Sequence, residues 1–195
     1  MISTQLDVSA AIRDLDDRQR NQIPFAMSQA INDTVAEGRE QAQQGMRRDL
    51  DRPTPWTQRG VLFRRSSKRN LQGAIYIAPN RWEYLQYQIE GGTERPRRRF
   101  IPIGLGRRNK YGNIPGWRTK ISKLLAKPDH FQAEINGTVG IWQRRRRGLK
   151  LVVAFRKQAT YRARWRFFRR AEKHVAKRFP ILFERRLIRA LETSR

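Results

Sequence analysis

The charge of this chain changes character near residue 55, and that change limits what it can fold into. Residues 1–55 hold 7 basic and 9 acidic residues. The other 36 of the 43 Lys+Arg and 8 of the 17 Asp+Glu fall in 56–195, so that stretch carries 36 − 8 = +28 within a net charge of +26. A compact fold this basic repels itself and calls for a polyanion or an acidic protein nearby. Arginine makes up 34 of the 43 basic residues, which favours forked contacts to phosphate over simple solubilising charge. Hydrophobic residues at 38% and aromatics at 10% are too many for a disordered basic tail. The chain is expected to fold, and to do so against negative charge.

The periodicities predict an α+β fold: a small, mostly antiparallel sheet flanked by an N-terminal helix (or two) and a long C-terminal helix. Residues 8–50 read as helix in two pieces, with Pro24 in the first turn of the second. Phe25, Ala26, Ala30, Ile31, Val35, Gly38, Ala42 and Gly45 then recur at helical spacing. That small-residue face is either core-facing or a helix–helix contact between subunits, and Phe25, Ala26, Ala30, Ile31, Gly38 and Ala42 are the candidate oligomer contacts. Pro53 and Pro55 end the helix. The domain reading is a near-neutral helical segment over 1–55 and a basic α+β domain over 56–195.

Within the second segment, Leu71–Ile77 reads as a strand ending in a turn at Ala78–Asn80. Arg81–Ile89 is strand or short helix by period. Phe100–Ile103 contains Pro102, so it is an edge strand or extended peptide. The glycine-rich stretch 104–117 looks like a long functional loop, part of an extended arm over 104–128 that holds a short helix at Ile121–Ala126. Phe131–Ile135 is strand-like, and Val139–Gln143 with Leu149–Phe155 predicts a hairpin with four consecutive arginines at its tip. Tyr161–Leu191 is the strongest helical pattern, with Pro180 expected to kink or split it.

The candidate nucleic-acid-binding residues are Arg64, Arg65, Lys68 and Arg69, then Arg97, Arg98 and Arg99, then Arg107 and Arg108, and the hairpin tip Arg144, Arg145, Arg146 and Arg147. Most lie in loops or at turns, and the charged faces of the last helix add to them. Counterion release makes such a surface bind DNA strongly at low salt. No helix-turn-helix, zinc finger, RNP1 motif or basic zipper is present to read bases, so phosphate contact without sequence preference is expected. Most tryptophans and phenylalanines sit at core spacing, which argues against base stacking. His130 and His174 lack partners at metal-ligand spacing, the acids beyond residue 55 are scattered, and cysteine is absent. The expectation is a non-enzyme without metal or cofactor. No apolar run is long enough for a membrane span and the N-terminus lacks an apolar signal core, so a soluble protein of a reducing cytoplasm is expected.

IPFAMSQAINDTVAEGREQ (Ile23–Gln41), GIWQR (Gly140–Arg144) and LIRAL (Leu187–Leu191) resemble bacteriophage minor tail protein Z and related tail-completion proteins. YLQYQIEGGT followed by RPRRRFIPIG (Tyr84–Gly104) is similar to the broader tail-completion fold. The doubled Gly91-Gly92 and the stretch Gly104–Pro128 depart from that pattern. The resemblance implies a structural virion component at the head-proximal end of the tail, assembled in the host cytoplasm. Its implied partners are copies of itself around the tail axis, the terminator, tube and tape-measure proteins, and the end of the double-stranded genome DNA. The arginine tip then points into the lumen, in preference to clamping an acidic neighbour. A free, sequence-nonspecific nucleic-acid-binding protein is the competing reading.

Overall fold

The computed structural model describes residues 17–95, 99–103, 107–156 and 158–193, the side chains of 17–21, 99, 102 and 117–120 excepted. The chain is α+β. Its elements run α1 (Asp17–Asp49), α2 (Pro55–Gln58), β1 (Val61–Arg64), β2 (Ala74–Ile77), α3 (Pro79–Ile89), β3 (Gly92–Glu94), β4 (Arg99–Pro102), α4 (Trp117–Leu125), β5 (His130–Ile135), β6 (Thr138–Arg145), β7 (Gly148–Arg156), β8 (Ala159–Tyr161) and α5 (Phe167–Glu192). They form two compact units, one of Met1–Ile89 with Arg164–Arg195 and one of Glu90–Ala163. The division does not follow the charge boundary near residue 55. Charge sorts residues by solvent preference, whereas the first unit is held by packing between the two ends of the chain.

In the first unit the small-residue face of α1 lets a neighbour approach closely, and α5 fills it together with the β1–β2 ribbon. Ala26, Ala30, Val35, Ala42 and Met46 are buried. A Cβ at Gly38 would collide with Ile75 and the His174 ring, and one at Gly45 with Arg170. Ile31 packs where Gly73 leaves room, and Phe25 is exposed. Ala26, Ala30, Gly38 and Ala42, read as oligomer contacts, are therefore closed off inside their own chain, because a face of small residues serves an intramolecular neighbour equally well. Pro24 lies inside α1 rather than in its first turn; the lost ladder bond is tolerated in a helix whose packing extends over many turns. Residues 8–16 of the expected first piece lie outside the described residues.

Along the α1–α5 contact, Asp49 pairs with Arg170, Arg178 Nε donates to Glu37 at 2.8 Å and Arg186 Nε to Asp33 at 2.7 Å. His174 Nε2 lies 3.2 Å from the Thr34 carbonyl oxygen. Hydrogen bonding from Arg178 holds the Glu37 carboxyl below its ordinary value. Burial pushes Asp49 up, but hydrogen bonds from Arg170 and Arg48 outweigh it and leave that carboxyl lowered too.

The ends of the remaining helices follow local rules. Thr54 caps α2, accepting from the Thr57 amide at 3.1 Å, and Pro55 occupies the first turn. Pro79 likewise starts α3 where a turn was predicted, with the Trp82 amide donating to Ala78 O at 2.9 Å. The strand-or-helix ambiguity at Arg81–Ile89 resolves as helix: Trp82, Leu85 and Ile89, at spacings of three and four, pack on Met46, Val61, Ile77, Trp165 and Phe167. The last helix begins at Phe167 rather than Tyr161. Residues 159–161 form β8, and the Arg164 and Trp165 amides donate to Gln88 O instead, which seats the Trp165 ring in the core. Pro180 lies inside α5 and does not split it.

In the second unit, β4-β7-β6-β5 form an antiparallel sheet and β3 pairs with β8. Pro102 sits on the edge strand β4, as its missing donor requires. A bulge opposite Ile141 leaves Val152 out of register. Both Val152 and Val153 join Ile141 in a core completed by Ile114, Phe100, Phe155 and, from α4, Ile121 and Leu124. The stretch read as an extended arm is thus tied in over its described residues: Ile114 is buried, and Asn109 Oδ1 accepts from the Tyr111 and Asn113 amides.

Two tests follow from this packing. A Cβ at Gly140 would strike the Val153 carbonyl oxygen, a backbone atom that cannot swing away; Gly140→Ala should cost about 1–3 kcal/mol, read as an earlier urea transition in probes of the second unit. Since Glu37 and Asp49 titrate below their ordinary values of 4.5 and 3.8, their contribution is complete above those values and lost as pH falls through the lowered ones. Thermal stability of the first unit should therefore be flat near neutrality and fall below about pH 4.5, with Glu37→Gln flattening the decline.

Candidate nucleic-acid interface

The two turns of the β5–β6–β7 meander lie at opposite ends of β6, and the β6–β7 turn carries the consecutive arginines. Between β5 and β6, Asn136 and Gly137 take φ of 51° and 71°, the two positive values that a two-residue turn following the strand twist demands. Between β6 and β7, Arg145 pairs with Gly148 and only Arg146 and Arg147 span the turn. Neither has positive φ, and Gly148 supplies it at 105°, so an ordinary turn followed by a glycine closes the tip. Arg144 to Arg147 are all exposed.

The four arginines do not share one point in space. Arg144 and Arg145 are strand residues and alternate across the sheet. The Arg144 guanidinium lies 5.0 Å from the Phe131 ring centroid, while Arg145 Nε donates to Gln143 Oε1 at 3.3 Å. Arg146 and Arg147 form the tip proper. Among the described residues no carboxylate pairs with any of the four.

Asp129 anchors the base of this hairpin. Its Oδ2 accepts from Gln143 Nε2 at 2.9 Å, its Oδ1 lies 2.7 Å from His130 Nδ1, and its backbone oxygen accepts the Arg144 amide at 2.8 Å. Hydrogen bonds from Gln143 and His130 hold the carboxyl below the usual aspartate value. His130 is buried by this clamp.

The other predicted clusters are only partly brought together. Arg99 pairs in register with Arg156, at the far end of β7 from the tip, roughly 26 Å away at ~3.3 Å per residue. Arg97 and Arg98 lie outside the described residues. Arg107 and Arg108 are exposed, with Arg108 Nη1 donating to Gly112 O at 3.3 Å.

Arg64, Arg65, Lys68 and Arg69 belong to the first unit, at the end of β1 and in the loop to β2. Ser66 pins this loop to α1: its amide donates to Asn32 Oδ1 at 2.8 Å, its hydroxyl to Ser28 O at 3.0 Å, and Asn32 Nδ2 returns a bond to Ser66 O at 3.3 Å. Ser67 and Asn70 then exchange backbone bonds of 2.8 and 3.1 Å, leaving Lys68 and Arg69 as a two-residue tip. Arg65 and Arg39 lie over the Phe63 ring at 5.8 and 5.5 Å, and Lys68 Nζ lies 4.7 Å from the Phe25 centroid. The Arg39 Nε is buried without a hydrogen-bond partner among the described residues, and its guanidinium lies over the Phe63 ring. On α5, Arg170, Arg178 and Arg186 are engaged by α1, whereas Arg169, Lys173, Lys177, Arg185 and Arg189 are exposed.

One exposed aromatic group was not anticipated. Trp165 is core, Trp82 packs edge-on against Phe168, and Trp142 Nε1 donates to Ala133 O at 3.1 Å. Trp56 instead is 52% exposed, stacked on Tyr84 with Arg81 over its ring. Its position in PTPWTQ, outside every apolar period, is the signal that sets it apart.

No described group of three or more His, Cys, Asp or Glu side chains forms a metal cluster, and no described helix is long and apolar enough to cross a membrane. Compared with protein-family models, curated proteins and solved structures, the chain matches none of them.

The Asp129 clamp makes a local prediction. Asp129→Ala should speed hydrogen exchange at the amides of 142–145 while leaving those of α1 and α5 unchanged; equal protection at the hairpin base would mean that strand pairing alone holds the tip.

Proposed function

We propose that this chain is a structural, non-enzymatic tail-completion protein of a bacteriophage, a subunit that contacts double-stranded DNA through phosphates at the head-proximal end of the tail. The observation that carries the DNA contact is the Arg144–Arg147 hairpin: exposed guanidinium groups without described carboxylate partners, on a strand pair anchored by Asp129. Guanidinium forks fit phosphate oxygens in pairs, and a rigid support limits the entropy lost on binding. The loop Arg64–Arg69 and the exposed cations of α5 supply further backbone contacts in the first unit. The tail assignment is supported by the family resemblance over Ile23–Gln41, Tyr84–Gly104, Gly140–Arg144 and Leu187–Leu191. In that setting the subunit assembles with copies of itself around the tail axis, beside terminator, tube and tape-measure proteins.

A second reading, a free and sequence-nonspecific nucleic-acid-binding protein, gains from one observation. The small-residue face of α1, which would have distinguished a ring subunit from a DNA coater, is filled by the chain's own α5 and β1–β2. Subunit contacts in the tail reading therefore use other surfaces.

The deciding experiment takes protein purified with nuclease in high salt, titrates it with short duplex DNA, and follows mass and images with and without isolated tails. Rings, alone or on tails, support the tail reading; monomers that coat DNA of any length and ignore tails overturn it in favour of the free binder. Substitution of Arg144, Arg145, Arg146 and Arg147 by serine should leave the fold intact. It should also flatten the slope of log K against log salt by about three to four, close to 0.9 per lost phosphate contact. An unchanged slope would remove the hairpin from the interface.

A further inference from the structure

We propose that Trp56, Tyr84 and Arg81 form a stacking site for unpaired bases of a single-stranded nucleic acid, separate from the phosphate-binding hairpin. The Trp56 and Tyr84 rings lie 6.1 Å apart at 15°, and the Arg81 guanidinium is 4.0 Å from the indole centroid. The two stacked rings and the guanidinium lie together at the surface, with Trp56 52% and Tyr84 37% exposed. A contact that served only to lock α2 against α3 would bury the indole. Here the indole stays half open, at a place where it contributes to no apolar period.

The stack is preorganised. The Tyr84 hydroxyl donates to Thr57 Oγ1 at 3.1 Å, which fixes the phenol beside α2. Arg81 Nη1 donates to Asn80 Oδ1 at 2.7 Å and its Nε reaches Trp56 O at 3.4 Å, so the guanidinium holds its place over the ring. Bases stack on aromatic rings and on guanidinium planes alike. The flanks favour a polyanion: Arg59 is exposed next to α2, and Arg47 is held there by Gln58 Oε1 at 3.0 Å. A planar stack within a cationic surround matches a nucleobase attached to phosphate better than an apolar peptide side chain. Duplex DNA, its internal bases already stacked on both sides, presents a free face only at its terminal pairs.

The inference rests on the nucleic-acid reading above for its ligand class, and the test separates the two. Anisotropy titrations compare a labelled 12-nucleotide oligothymidine, an abasic strand of equal length and a blunt 12-base-pair duplex at one salt concentration. The abasic strand keeps the phosphates and removes the bases. Wild-type protein should bind oligothymidine roughly tenfold more tightly than the abasic strand, a ratio within the range for stacking of one base. Trp56→Ala should bring the two affinities together without changing duplex or abasic binding, and Trp56→Phe should restore most of the difference. Tyr84→Ala serves as the second variant should Trp56→Ala not fold. A wild-type ratio near one, or a ratio that survives both substitutions, overturns the stacking site while leaving phosphate binding in place. Failure of every strand to bind overturns both readings.

Discussion

The pairing of α1 acids with α5 arginines is the interaction on which the rest of the first unit depends. Asp33, Glu37 and Asp49 meet Arg186, Arg178 and Arg170 along one antiparallel contact, and between these pairs alanines and glycines let the helices close. Exposed ion pairs contribute little individually. Their larger effect here is on arrangement. An arginine-dense helix packed against an apolar or basic neighbour would leave cations half-buried and unpaired, and the acids on α1 remove that penalty in one orientation only. The segment that looked nearly neutral in sequence is thus the internal counter-charge of the last helix.

Outside those pairs, two groups of the described cations lie at strand-connecting tips, where they do not disturb a core. The tips at Lys68–Arg69 and Arg146–Arg147 are each two residues long, and each is fixed at its base by hydrogen bonds, from Ser66 to α1 in one case and around Asp129 in the other. Short anchored tips hold like charges close together at low entropic cost, because the backbone order is supplied by strands. The field such tips create attracts a polyanion over a Debye length, and the forked geometry of arginine then favours phosphate. Trp56 adds chemistry of another kind, an exposed aromatic face whose quadrupole holds the Arg81 cation.

Much of this was legible in the sequence. The α+β class, the arginine hairpin, the edge position of the Pro102 strand and the long last helix all follow from periodicity and from the rules for proline and glycine. Misreadings cluster where local rules are degenerate. Pro79 opens a turn or a helix equally well, and what selects the helix is burial of Leu85 and Trp82 against Met46 and Trp165. Tyr161–Arg166 carries helical spacing but is drawn into a strand and an extended link by β3 and by the Gln88 carbonyl. A small-residue helix face announces a close neighbour without saying whose.

The sequence by itself determined the chemistry of this protein: a folded, arginine-rich chain with basic clusters at or near turns and along the last helix. Those properties reside in single residues and short spacings. Only the tertiary structure decided which charges face outward. Three arginines of α5 are engaged by acids some 120 to 150 residues earlier in the chain, Arg99 is held at the opposite end of a strand from Arg147, and Trp56 is left open while Trp165 is closed. Each of those outcomes depends on which distant segment lies alongside, and contact between distant segments is set by the packing of whole elements, which no local pattern encodes.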